Sequence, residues 1–205
     1  MSMLFPLVLV VMMIGIFASM LREGLWSSLL TLMNTLLAAL LATNFFEALA
    51  TLMTKYVPSG TMFWDIVAVW GIFALAFLVL RAATDQLSKV RVRFKRPIDL
   101  AGGYFFAIWT AYVMIAFTTM TLHTAPLGRN FMWGGFKAEN PIFFGLKPDR
   151  QWLGFVQLLS QGSLSRVVDE NNPEAHVFDP KGMFIPNYTT RRDQYEKDDS
   201  FTAVQ

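Results

Sequence analysis

Residues 81–96 read RAATDQLSKVRVRFKR, six basic side chains (Arg81, Lys89, Arg91, Arg93, Lys95, Arg96) against one acid, Asp85. Long stretches almost free of charge lie on both sides. About 20 apolar helical residues cross a bilayer's hydrocarbon core, and short connections rich in Lys and Arg are held on the cytoplasmic side. The stretch therefore predicts a membrane protein and the direction in which it faces.

Composition agrees. With 54% hydrophobic and 16% charged residues and a mean hydropathy of +0.42, the chain is too apolar for an ordinary soluble domain, so lipid is its expected main partner. The net charge is +2, but the basic excess sits beside predicted spans, where it sets topology and does not point to nucleic acid. No cysteine is present, which excludes disulfides and thiolate metal sites.

Four uncharged or nearly uncharged runs are long enough to cross: Met3 to Leu21, Gly24 to Phe46, Thr61 to Leu80 and Leu100 to Leu122. No basic residue precedes the first run and no small-residue cleavage site follows it, so that helix is expected to stay attached. Only Arg22 and Glu23 separate the first two runs, which predicts a tight hairpin. Pro58 and Gly60 supply the next turn, within Lys55 to Gly60. Counting Lys and Arg puts the first and third connections inside, and both termini on the outer face, which is the periplasm if the cell is a bacterium with two membranes. Beyond His123 there are nine basic and ten acidic residues, a balance compatible with translocation.

Helices in lipid associate through small residues and a few interhelical hydrogen bonds. Gly103, Ala107 and Ala111 recur every four residues, continued by Thr118, and predict the packing stripe of the fourth span. Ser27 or Ser28, Thr31, Thr35, Ala38 and Ala42 form a similar stripe in the second, and Ala68, Gly71 and Ala74 in the third. Asn34, near the middle of the second span, must find a partner inside the bundle, since a buried unpaired amide costs about 1–3 kcal/mol. Glu47 and Asp65 are expected at the outer interface, solvated or capping; with Thr31, Thr35 and Asn34 they are also the residues that could line a conduit.

Within the basic connection, residues from Leu80 to Ser88 continue the third helix. Lys89, Arg91, Arg93 and Lys95 then alternate with Val90, Val92 and Phe94, so an extended segment would offer basic side chains, with Arg96, to anionic headgroups or to a cytoplasmic partner. Pro97 breaks this segment and Asp99 is placed to cap the fourth helix.

The hairpin with Arg22, Glu23 and Gly24 at its tip, the basic connection, and Asp99 opening a span with Gly103, Ala107 and Ala111 together resemble the colicin V production protein (CvpA) family of four-span bacterial inner-membrane proteins. The likeness covers about Met3 to Leu122. The chain departs from the family where an Asp often stands near the start of the first span, here the uncharged Leu4 to Val11 run. It departs again where a basic residue often follows the Asp of the last span, here Leu100. The resemblance implies a role in colicin V or toxin production or export and in envelope homeostasis. Some members of that family are anchors for periplasmic serine proteases.

After Leu122, prolines and glycines punctuate a loop rich in aromatics. Phe131, Trp133, Phe136, Phe143 and Phe144 are expected at the headgroup boundary or over the outer mouth of the bundle. Trp152, Phe155, Val156 and Leu159 fall at helical spacing between Asp149 and Gln161, which predicts an amphipathic helix lying along the membrane; docking of this face on a partner protein is the alternative. The chain is mostly polar from Asp169, and disorder is expected beyond Tyr188.

Catalytic signatures are lacking. His123 and His176 have no second His or Cys at metal spacing, Ser160, Ser163 and Ser165 lack the context of a nucleophile, and neither glycine pair matches a phosphate loop. The fold expected is an all-α integral membrane protein: a four-transmembrane-helix bundle (1–122), an outer loop and interfacial helix (123–168) and a disordered tail (169–205). It needs no cofactor or metal, is not an enzyme, and acts with the bilayer and with an envelope partner or further copies of itself. A channel or transporter component and a scaffold for a periplasmic partner are the other readings.

Overall fold

A computed structural model describes residues 4–88, 94–127, 131, 136, 142–162, 165 and 176–197. The described residues form six α-helices: α1 (Leu4–Met20), α2 (Leu25–Tyr56), α3 (Trp64–Leu87), α4 (Arg96–Thr124), α5 (Pro148–Ser160) and α6 (Phe184–Lys197). Three of them, α2, α3 and α4, are long and apolar enough to cross a membrane, while α1 is apolar but shorter, at 17 residues. All four expected runs are therefore helical, and α2 continues ten residues past Phe46 to Tyr56. A 3-10 turn at Pro58–Gly60 then reverses the chain, fixed by the Trp64 indole N–H donating to the Val57 carbonyl at 2.8 Å. As expected, α3 runs on past Leu80, to Leu87.

In space α2 lies between α3 and α4, and α1 packs on the far side of α4. Only 17% of the apolar stretch of α3 is buried in the protein, against 56% of that of α4, which makes α3 the peripheral helix and α4 the central one. Apolar side chains on the outer faces, such as Leu7, Val11 and Ile14 of α1 and Leu75, Leu78 and Val79 of α3, are left for lipid. α1 is antiparallel to α4 along nearly its whole length. Near its start Phe5 meets Phe136, whose ring also lies 4.8 Å from His123 at the end of α4, and near its end Phe17 meets Tyr104 in the third turn of α4.

The small-residue stripes sort differently in the three helices. Gly103, Ala107 and Ala111 are buried, as are Ser28, Thr35, Ala38 and Ala42 of α2. In α3 only Ala68 is buried; Gly71 and Ala74 face outward, because α3 has a close neighbour on one side only.

The C-terminal third corrects two expectations. Half of the expected apolar face of α5 is covered by the protein itself: Trp152 and Val156, with Leu153 beside them, pack into one core with Phe46 and Ala50 of α2, Phe117 and Met120 of α4, and Phe178 and Phe184, while Leu159 is partly buried at its edge and Phe155 is exposed. Phe117 is the hub, with ring centroids 4.9 Å from Phe73, 5.5 Å from Trp70 and 5.9 Å from Trp152. The tail is ordered into α6 where disorder was expected, because Phe178 and Phe184, inside an otherwise polar segment, supply apolar area to bury. Asp179 secures the entry to α6 by accepting the backbone N–H groups of Met183 (2.7 Å) and Phe184 (3.0 Å). Of the loop aromatics, Phe136 and Phe143 are buried against Phe5, Leu9 and Ile115, Phe144 is exposed, and Trp133 lies outside the described residues.

Candidate functional site

One end of the bundle brings together residues far apart in sequence. α1 stops at Met20, the Glu23 N–H donates to the Met20 carbonyl at 3.0 Å, and α2 starts at Leu25 after an extended Gly24. The first N–H groups of a helix have no partner within it. That of Leu25 is satisfied by Asp99, whose Oδ1 accepts it at 3.0 Å. Asp99 thus caps α2, a correction to its expected role at α4, which begins at Arg96 and leaves Asp99 inside its first turn. There the carboxylate also faces the favourable end of the α4 dipole.

Two glycines permit this contact through space, not through backbone angle. A Cβ on Gly24 would lie 2.8 Å from Asp99 Oδ2, and one on Gly103 would lie 3.0 Å from the backbone oxygen of Glu23. Glu23, Gly24, Asp99 and Gly103 therefore form one clasp between the α1–α2 turn and the start of α4, while Arg22 points outward and is exposed.

From the clasp, polar contacts pass along α2 to α3. Glu23 Oε2 accepts the Ser27 hydroxyl at 2.8 Å, Thr31 donates to the Ser27 carbonyl at 3.0 Å, and Arg81 of α3 donates to the Thr31 hydroxyl at 2.8 Å. Arg81 is also paired with Asp85 at 3.2 Å. The Trp26 indole N–H donates to the Ser88 hydroxyl at 2.7 Å. Asn34, buried, finds a partner inside the bundle, as expected: its amide donates to Thr84 Oγ1 at 3.0 Å. It stands about 14 Å from the start of α2 at 1.5 Å per residue, level with the last turns of α3 and not midway along a helix that proves longer than its predicted span. A double-mutant cycle of Asn34→Ala and Thr84→Ala is expected to give a coupling of about 0.6–1.7 kcal/mol, the range of interhelical hydrogen bonds in membranes. Additive single effects would show that the pair is not bonded.

The remaining basic residues divide. Lys89, Arg91 and Arg93 lie outside the described residues, and with them the alternating segment; Lys95 and Arg96 are exposed at the start of α4.

The opposite end holds a second set of polar contacts that sequence reasoning missed. His123 Nε2 and Asp149 Oδ2 are 2.9 Å apart and fully buried, tying the last turn of α4 to the first turn of α5; His123 Nδ1 and Asp149 Oδ1 have no partner among the described residues. Trp152 Nε1 donates to Thr43 Oγ1 at 3.0 Å, and the Phe178 N–H to Ser160 Oγ at 2.9 Å. Asp65, expected at the interface, is buried and paired with Arg191 of α6, whose second nitrogen donates to the Thr61 carbonyl at 3.1 Å. Arg192 lies over the Phe136 ring at 5.8 Å, and burial draws its guanidinium below the ordinary value, opposed by Asp193. Of these, Asp65 was expected to be solvated or capping and Trp152 to lie on an apolar helix face, neither with the partner it has. The signal for the pairings is three-dimensional, since Asp65 and Arg191 are 126 positions apart.

Chemically, these arrangements hold helices together. Four of the five residues that could line a conduit are engaged within the chain: Thr31 and Asn34 as described, Thr35 with the Thr31 carbonyl at 2.7 Å, Asp65 with Arg191; the fifth, Glu47, is exposed. Among the described residues no group of three or more His, Cys, Asp or Glu side chains could hold a metal ion.

A family model described as colicin V production protein matches residues 6–135. Comparison with curated proteins and with solved structures gave no match. The matched stretch takes in the clasp and all the long helices, and ends before α5.

Proposed function

The chain belongs to the colicin V production protein family, and from that premise we propose that it is a non-enzymatic, four-crossing protein of the bacterial cytoplasmic membrane acting in toxin production or export and envelope homeostasis. The family name supplies the process. The observation that carries the architecture is the course of α1, whose ends meet the two ends of α4 at His123–Phe136 and at Tyr104. A 17-residue helix covers about 26 Å, close to the hydrocarbon thickness, so a helix lying along a membrane-crossing neighbour crosses with it. The basic connection between α3 and α4 then faces the cytoplasm, and α5, α6 and both termini lie outside.

Single-cysteine labelling in intact cells tests this arrangement. A cysteine near residue 92 is expected to react only after permeabilisation, and one at Lys181 before it. Labelling of position 92 from outside, or release of the chain from vesicles by alkaline carbonate, would overturn the reading. Secretion of colicin V from cells lacking their own family member, restored by this chain, tests the process.

In this proposal the clasp is the structural device of the family-matched region and α5–α6 is a cover specific to this chain's outer end.

A further inference from the structure

We propose that the clasp end of the bundle binds the headgroups of anionic phospholipids through Arg22, Lys95 and Arg96. All three are exposed, and they come from two segments that the clasp joins: Arg22 stands two residues before Gly24, which touches Asp99, and Lys95 and Arg96 stand within one turn before Asp99. The acids that would otherwise neutralise them are engaged elsewhere. Asp99 is committed to the Leu25 N–H and Glu23 to the Ser27 hydroxyl, while Asp85 is paired with Arg81. Arg22, Lys95 and Arg96 therefore have no acidic partner among the described residues.

Lys95 and Arg96 also stand at the positive end of the α4 dipole, where cations are disfavoured, so an external anion relieves two repulsions at once. What surrounds the cations decides which anion. Leu21, Phe94, Ile98 and Leu100, next to them along the chain, and Tyr104, about two turns further along α4, are exposed, and apolar surface continuing from cationic side chains into the span fits an acyl chain below a phosphate headgroup, not a phosphate free in water. The assignment to the cytoplasmic leaflet rests on the topology proposed above; the binding itself does not.

The test offers delipidated protein in detergent an equimolar mixture of phosphatidylglycerol and phosphatidylcholine, and counts retained lipids by native mass spectrometry. Phosphatidylglycerol should be preferred, and the triple variant R22Q/K95Q/R96Q should lose that preference by about a hundredfold, while Lys181→Gln, an exposed cation outside the clasp, should not. The charge-conserving pair R22K/R96K should keep it, which separates loss of charge from loss of fold. Equal retention of both lipids, an unaltered preference in the triple variant, a matching loss in Lys181→Gln, or a lost preference in R22K/R96K would each overturn the proposal. Displacement of the lipid by millimolar inorganic phosphate would also overturn it, in favour of a soluble anion. None of these readings depends on sidedness, which the cysteine labelling tests separately.

Discussion

Trp152→Ala should release α5 and α6 from the bundle while leaving α1 to α4 in place. The side chain is almost fully buried, its ring meets Phe117, and its N–H is bonded to Thr43. Truncating a buried Trp costs about 3–5 kcal/mol, from lost transfer energy and from the cavity left behind. The loss falls on a segment that is held by few elements. The core contributed by α5 and α6 is Trp152, Leu153, Val156 and Phe184, with Phe178 between them, and the largest of these is the one removed. Hydrogen exchange would read it directly: the amides of Val156 and Phe184 should exchange about two orders of magnitude faster or more, in step with the lost local free energy, and those of Ala107 and Ala111 should not change. Equal acceleration across all helices would mean that the cover and the bundle are one cooperative unit. No acceleration would mean that Trp152 does not hold the cover.

Gly103→Leu should be the most damaging change among the small residues of the clasp. A Cβ there already meets a backbone oxygen at 3.0 Å, and a backbone atom cannot swing aside as a side chain can, so the α1–α2 turn must lift from α4. Overpacking of this kind costs about 1–3 kcal/mol and sometimes more. Lifting the turn also breaks the Leu25–Asp99 hydrogen bond, and Asp99→Ala alone is expected to cost about 0.5–2 kcal/mol, the range for loss of a helix cap. Gly71→Leu is the matched control, because nothing lies within 4 Å of its added Cβ. The thermal midpoint in detergent should fall for Gly103→Leu, fall less for Asp99→Ala and stay for Gly71→Leu. A Gly103→Leu midpoint no lower than that of Gly71→Leu would remove the clasp as a structural device. If the clasp matters to the family's process, secretion should fall in the same order.

The contrast between these glycines shows how far the sequence could be read. Gly71 with Ala68 and Ala74 has the same small-residue spacing as Gly103 with Ala107 and Ala111, and nothing local distinguishes them. The difference is position in the bundle: α4 has neighbours on several sides, whereas α3 packs chiefly on α2 and turns Gly71 to lipid. Asn34 was legible because an amide among apolar residues must be satisfied wherever it lies, yet its partner, 50 residues away, was not. Asp99 was recognised as a cap, and the helix it caps was misassigned because local reasoning looks only along the chain. Spacing likewise gave the apolar face of α5 without its destination: Trp152 and Val156 suit a membrane surface as well as a protein core, and only the arrival of Phe117 and Phe178 at that face decides between them.

Where the long apolar helices lie and where the chain turns are written locally, because both follow from quantities summed along the chain: runs of apolar side chains, their interruption by charge, and Pro and Gly at the breaks. Which helix lies inside, that Asp99 serves α2, that Asp65 and His123 meet Arg191 and Asp149, and that the C-terminal segment folds over the bundle follow from the packed fold alone. Each of these is a contact between residues separated by 26 to 126 positions. Hydrogen bonds and close packing act over a few ångströms, so they depend on which segments the fold brings side by side, a distance that no local pattern encodes.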